Sequence, residues 1–393
     1  MLEVEKFISE HKDNWIELLQ EKPYALKCNE NDDYVLLKYN MILSDFTLPL
    51  VKECRGIVID KHSLRAVALS FVKFFNVQEP LHDEIDWSTA KIQEKVDGTK
   101  ILCWYDRKNE KWIISTSGSL DAFKSSVHEN KADGETYGDL FVEALGNINL
   151  NLDGLFKSLN SKYCYTFELV SPKSRIVVPY RQTKIFLIGL RDVETFEELS
   201  PDIEENVINL GIPRPKEYPL HSLEDCMNAT AKMGFDEEGF VVVDALWKRV
   251  KIKSPEYVLA HYLRFNGGVS YSRILELIET KNDEKMLKIY PEYKPYFDEV
   301  YQKLNSLKSN VISAMTDVQE KMETEGSDRK TLALYILSKY KDISVFLFRL
   351  LDTKQFESLG EVFDKVWDNF TKNKKLAYLG FDEESDADEF KEE

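Results

Sequence analysis

Residues 94–106 read Glu-Lys-Val-Asp-Gly-Thr-Lys-Ile-Leu-Cys-Trp-Tyr-Asp. A charged segment that contains a glycine, Lys95 to Gly98, runs straight into the apolar stretch Ile101 to Tyr105, the pattern of a turn that opens a strand. The same signature recurs on both sides: YVLLKY from Tyr34, RGIVID from Arg55, KWIIST from Lys111, YCYTFELV from Tyr163, KIFLIGL from Lys184 and EGFVVVD from Glu238. From Tyr34 to about Val250 this spacing predicts sheet, largely meander-like, with helices between. Residues 4–21 place Phe7, Ile8, Trp15, Leu18 and Leu19 at roughly helical intervals and predict an opening amphipathic helix.

Beyond Ser254-Pro255 the strand pattern fades. EYVLAHYLRF, YSRILELIE, the segment from Tyr296 to Met322 and TLALYILSKY have helical spacing, broken at Gly267-Gly268, Pro291 and Gly326-Ser327, with Asp328 placed to cap a helix. The expected fold class is therefore α+β: a domain of antiparallel sheet over residues 1–253, then an all-α domain over 254–380. The last stretch, 381–393, carries eight acids against one lysine and is expected to be a solvated, disordered tail.

A chain of 393 residues with 43% apolar and 12% aromatic residues has the length and composition for two folded cores. The formal charge is −17, of which −7 lies in the tail. Such a balance excludes a protein that coats nucleic acid by bulk electrostatics, because phosphate contacts come from Lys and Arg; any nucleic acid must meet a focused basic cleft. The five cysteines show no C-x-x-C pairing, which points to neither a disulfide framework nor zinc. The acidic amino terminus differs from a signal peptide, and no apolar run approaches the roughly 20 residues of a membrane span. A cytoplasmic protein away from membranes is expected.

Alone, Lys95-Val96-Asp97-Gly98 is a weak signal, since a K-x-D-G string arises by chance in about one chain in ten of this length. Its company is specific. Glu53-Cys54-Arg55-Gly56 and Lys73-Phe74-Phe75-Asn76 precede it, and Ser117-Gly118-Ser119, Phe167-Glu168-Leu169, Glu237-Glu238-Gly239-Phe240 and Lys251-Ile252-Lys253 follow. No H-E-x-x-H, P-loop or nucleophile-elbow string occurs.

In that order the motifs resemble those of the covalent nucleotidyltransferases, and more narrowly the phage-type ATP-dependent RNA ligases that repair cleaved tRNA. The resemblance covers about residues 34–257; beyond it, Asp328-Arg329-Lys330-Thr331 is similar to a string in the tRNA-specialised helical domain of those ligases. It implies that Lys95 attacks ATP to form lysyl-AMP, with Mg²⁺ as cofactor and Mn²⁺ able to substitute. Lys251 and Lys253 are then catalytic contacts to the phosphates. Arg55 and Lys73 lie near the phosphates, Phe75 and Tyr257 near the nucleotide, Glu168 at the ribose and Gly98 in the turn. Glu238 and Asp97 are the expected metal-linked carboxylates. The implied partner is RNA with 5′-phosphate and 3′-hydroxyl ends, tRNA above all, after a kinase-phosphatase has healed them, in a bacterial or phage-infected cell and by a monomer.

The residue types suit that chemistry. A nucleophilic amine must be neutral, and lysine can lose its proton where arginine cannot. Nearby cations would depress the Lys95 ammonium and attract the triphosphate together. Ser117 departs from the family, which carries a basic residue there. DNA ligases and capping enzymes share the motifs but continue into a β-barrel, for which the helical spacing after Lys253 provides no strands. An inactive nucleotide- or RNA-binding homologue is the other alternative, and it would be expected to lack at least one of the charged residues named.

Overall fold

The computed structural model describes residues 1–127, 134–263, 270–325, 328–352 and 358–381. The chain divides into two units, Met1–His261 and one that starts at Tyr262. The dividing point falls within the helix Pro255–Leu263, eight residues past the end of the last strand.

Among the described residues the first unit has three sheets. β1 (Lys27–Glu30), β2 (Tyr34–Lys38), β3 (Arg55–Asp60) and β4 (Ala66–Ala68) form an antiparallel meander in that order. β7 (Thr99–Asp106), β8 (Lys111–Thr116), β9 (Tyr163–Val170), β10 (Lys184–Asp192) and β11 (Glu198–Leu199) form the second, ordered β11-β10-β9-β7-β8 and antiparallel throughout. The third collects distant strands, β12 (Glu217–Tyr218), β6 (Lys91–Glu94), β13 (Gly239–Val243), β14 (Arg249–Lys253) and β5 (Phe75–Asn76), in the order β12-β6-β13-β14-β5. The meander expectation thus holds for the first sheet and fails for the third, whose β14–β5 pair is parallel. Strands of two residues, or a polar one such as KIQE, have no apolar run to reveal them; they exist because a neighbour offers a ladder.

Strands β2 and β3 of the first sheet are buried on both faces, so they read as continuous apolar runs. Val35, Leu37, Ile57 and Ile59 pack with Val4, Ile8, Trp15 and Leu19 of the amino-terminal helices. Tyr34, Leu36 and Val58 meet Leu102, Trp104 and Cys164 of the second sheet. The far face of the second sheet, with Tyr165, Phe167 and Leu169, packs with Leu140, Phe141 and Ala144 of the helix Tyr137–Gly146.

The opening segment is two helices, Glu3–Glu10 and Trp15–Gln20, where one was expected. Asp13 and Asn14 lie at the break; such residues compete for backbone hydrogen bonds and favour turns.

The described part of the second unit is helical, with Tyr271–Glu279, Asp283–Ile289, Lys294–Glu325, Arg329–Lys339, Ser344–Asp352, Leu359–Trp367 and Lys372–Leu379. Phe297, Val300, Val311, Met315 and Val318 of the 32-residue third helix are buried. Asp328 caps its helix as expected, its carboxylate accepting the Thr331 N–H at 2.9 Å. Gly267-Gly268, Gly326-Ser327 and residues 382–393 of the acidic tail lie outside the described residues. No described helix is long and apolar enough to cross a membrane.

Candidate active site

The site is built on the alternation of β14. Val250 and Ile252 join Ile92, Phe240 and Val242 in an apolar core, so Arg249, Lys251 and Lys253 share the opposite face. One buried strand therefore presents three cations in a row.

Glu238, just before β13, is 4% exposed. Its Oε1 stands 2.7 Å from Lys95 Nζ and 3.5 Å from Lys253 Nζ. Lys95 follows β6, and its N–H donates to the Gly239 carbonyl at 2.9 Å, one step beyond the β6–β13 ladder. The backbone there leaves no room for a side chain. Gly239 has φ +133°, and a Cβ on it would stand 2.1 Å from the Ile252 carbonyl oxygen.

Asp97 ties down the rest of the turn. Its Oδ2 accepts the N–H groups of Val177 at 2.8 Å and Val178 at 2.7 Å, and its Oδ1 accepts the Tyr257 hydroxyl at 2.7 Å. Its own N–H donates to the Tyr180 hydroxyl at 3.1 Å. Three donors occupy most of the lone-pair sites of this buried carboxylate, which suits placing Lys95 better than holding a metal. Gly98 lets the turn lie on β9, since a Cβ there would stand 2.4 Å from the Leu169 carbonyl oxygen.

Glu168 lies on β9, an interior strand, opposite Lys100 of β7. Burial lifts its carboxyl to about 7, against the pull of Lys95 and Arg55, with Glu238 pushing the same way as burial and Lys100 opposing it. Lys100 Nζ donates to the Arg55 carbonyl. Burial, then the charges of Arg55 and Lys38, hold Lys100 well below the ordinary lysine range. Because the Glu168 carboxyl is raised in the folded state, its contribution to stability is full below the unfolded value of 4.5 and is lost as pH rises through about 7. Glu168→Gln is expected to remove up to about 3 kcal/mol of that decline. Thermal unfolding of both proteins between pH 4.5 and pH 8 would show it, and parallel pH profiles would refute it.

Arg55 stacks on Phe74, its guanidinium carbon 5.1 Å from the ring centroid, and Lys251 Nζ lies 5.4 Å from the same ring. Lys73 is buried among rings, 5.4 Å from Tyr39, 5.3 Å from Phe46 and 5.4 Å from Phe75. Phe75 and Lys73 thus form a neighbouring aromatic group, which joins the site through the β5–β14 pairing that sets Asn76 opposite Lys251. Ser117 lies against the start of β3: a Cβ on Gly56 would stand 2.9 Å from its Cα.

Among the buried polar atoms here that have no hydrogen-bond partner are Glu238 Oε2 and Arg55 Nη1. Buried polar atoms are satisfied in nearly all folded proteins, so two at one site mark the place of a polar ligand. An anion suits Arg55 and a cation suits Glu238. Among the described residues no group of three or more His, Cys, Asp or Glu could hold a metal by itself. A cation at Glu238 would therefore draw its other ligands from phosphate and water, the usual habit of Mg²⁺.

Tyr180, Lys100 and the amides of Val177 and Val178 were not foreseen as parts of the site. Nothing in the string Arg175-Ile176-Val177-Val178 shows that the amides of its two valines grip Asp97.

A lysine ion-paired to a buried glutamate, ringed by cations and set on a glycine-walled turn, is an arrangement made for a phosphate-bearing ligand. The chain belongs to the RNA ligase family, whose model matches residues 53–257. It is 28% identical over 390 residues to an RNA ligase of Rhodothermus phage RM378, covering 83% of this chain and 87% of that protein. It is 25% identical over 247 residues to RNA ligase 1 of Bacteriophage TS2126, covering 57% of this chain and 55% of the other. Among solved structures, an archaeal ATP-dependent RNA ligase aligns over 75% of this chain and 78% of its own, at 14% identity and a TM-score of 0.44.

Proposed function

We propose that this protein is an ATP-dependent RNA ligase that joins 5′-phosphate and 3′-hydroxyl ends by way of lysyl-AMP and RNA-adenylate, in the repair of cleaved tRNA. The observation that carries this is the Lys95–Glu238–Lys253 centre beside the unpartnered Arg55 Nη1. Lys95 Nζ, once neutral, attacks the α-phosphorus of ATP; the N–P bond forms and the bond to pyrophosphate breaks. Glu238 Oε1, at 2.7 Å, is placed to take the ammonium proton. Lys251 and Lys253 balance the charge that grows on the α-phosphate, and Arg55 and Lys73 hold the outgoing phosphates. The RNA 5′-phosphate then displaces Lys95 from the AMP, and the 3′-hydroxyl attacks that phosphate and releases AMP.

Glu238 is the residue that would hold a divalent cation, whose part is to neutralise phosphate charge. Asp97 places Lys95 and Tyr257 places Asp97, while Glu168 faces the ribose and Phe75 the nucleotide. In this reading residues 1–253 perform the adenylyl transfer and the helices of 254–380 select structured RNA, in the cytoplasm.

The test is incubation with α-labelled ATP and Mg²⁺, then a chase with unlabelled RNA. Wild-type protein should keep an acid-labile, alkali-stable AMP label, Lys95→Ala none, and a nicked tRNA should discharge and be sealed faster than a linear oligonucleotide. No label on wild-type protein freed of bound AMP would refute the reading; equal rates on both RNAs would refute the tRNA part alone.

A further inference from the structure

Arg249, the first residue of β14, is clamped. Its Nη1 donates to Glu198 Oε2 at 3.0 Å and to the Trp247 carbonyl at 3.2 Å, and its Nη2 donates to Glu198 Oε1. Arg191 Nη2 donates to the same Oε2 at 2.9 Å. Glu198 and Arg249 are each 8% exposed, so water does little to loosen the fork.

The clamped guanidinium lies 5.0 Å from the centroid of Phe71. The Arg55 guanidinium lies 5.0 Å from that same centroid and stacks also on Phe74, which in turn takes Lys251. Phe71 and Phe74 meet edge to face, with centroids 5.6 Å apart. Cations and rings therefore alternate from the clamp to the site: Arg249, Phe71, Arg55, Phe74, Lys251. Cations packed this closely repel one another, and the π faces between them offset the repulsion. Among the described residues no carboxylate pairs with Arg55, and its Nη1 has no acceptor. Glu168 acts on this charge from a distance, without an ion pair, and the groups packed directly on the guanidinium are the two rings.

We propose that Phe71 is a positioning residue: its ring, braced by the Glu198-bound Arg249, fixes the Arg55 guanidinium where the phosphates of the nucleotide meet it. This rests on the phosphate role given to Arg55 above. Phe71 touches no reacting atom, and Glu198 acts one step further away, through Arg249.

The test is the Kd of the full-length chain for α,β-methylene-ATP with Mg²⁺. Phe71→Leu, which keeps an apolar side chain but no π face, should weaken binding about tenfold. Phe71→Tyr, which keeps the face, should stay within about twofold. In an Arg55→Ala background Phe71→Leu should change nothing further. Glu198→Gln, which loosens the brace and leaves the ring alone, should weaken binding about threefold, again only while Arg55 is present; it serves alone if Phe71→Leu does not fold. An unchanged Kd in Phe71→Leu, a loss that persists without Arg55, or a Tyr variant as weak as the Leu variant would each overturn the proposal. Absence of lysyl-AMP on the unvaried protein given ordinary ATP would instead refute the function on which it rests.

Discussion

Alanine at position 239 is expected to cost the first unit about 3 kcal/mol or more, a fall in melting temperature of roughly 10 °C. The reason is backbone on backbone. The new Cβ would stand 2.1 Å from the Ile252 carbonyl oxygen and 2.9 Å from Lys253 Cα, at a φ of +133° that L residues rarely adopt. No side chain can rotate away to relieve it, so β13 must part from β14. That movement carries Glu238 away from Lys95, and the Gly239 carbonyl that accepts the Lys95 N–H goes with it. Label transfer from ATP should therefore fall even at temperatures where the protein remains folded. Gly118→Ala is the control, because a Cβ there meets nothing within 4 Å. Differential scanning calorimetry of both variants decides the matter, and equal melting temperatures would refute the account.

Glu238→Gln is expected to slow formation of the lysyl-AMP adduct by roughly 100-fold to 1,000-fold with little change in fold. Glutamine preserves the size of the side chain but removes a charge on which two ammonium groups converge, at 2.7 Å and 3.5 Å. Without it Lys95 loses the proton acceptor at 2.7 Å, and the cation proposed at the unpartnered Oε2 loses its carboxylate anchor. Two defects should thus appear together, a lower rate at saturating ATP and a shift of the Mg²⁺ requirement to higher concentration. Single-turnover labelling across a Mg²⁺ titration measures both. A rate within tenfold of wild type, with the same Mg²⁺ dependence, would remove Glu238 from the chemistry.

How much of this could be read beforehand follows from the range of the interactions. The long strands at Arg55–Asp60, Lys111–Thr116 and Tyr163–Val170 coincide with the apolar runs that predicted them, because burial of both sheet faces leaves a local pattern. The strand KIQE that delivers Lys95 has no such pattern and owes its place to hydrogen bonds with β13. The same contrast holds in the site. Lys95, Glu238 and Lys253 stand in recognisable strings, and the fold brings them within an ion pair of one another. The partners of Asp97 could not be read, since Tyr257 lies 160 residues away and the Val177 and Val178 contacts use backbone amides that every residue possesses. Phe71 and Arg249 look like an ordinary core ring and an ordinary strand-end cation until distance joins them.

The two faces of β14 make this site more sensitive to length than to spelling. Swapping Val250 for isoleucine changes a volume, whereas one extra codon inside Arg249–Lys253 would turn every side chain of the strand after it over to the other face. Lysine would then meet the Ile92–Phe240 core, and isoleucine would take the face that Lys251 and Lys253 now share. A single-codon insertion or deletion inside this strand therefore costs far more than a conservative exchange at one of its apolar positions.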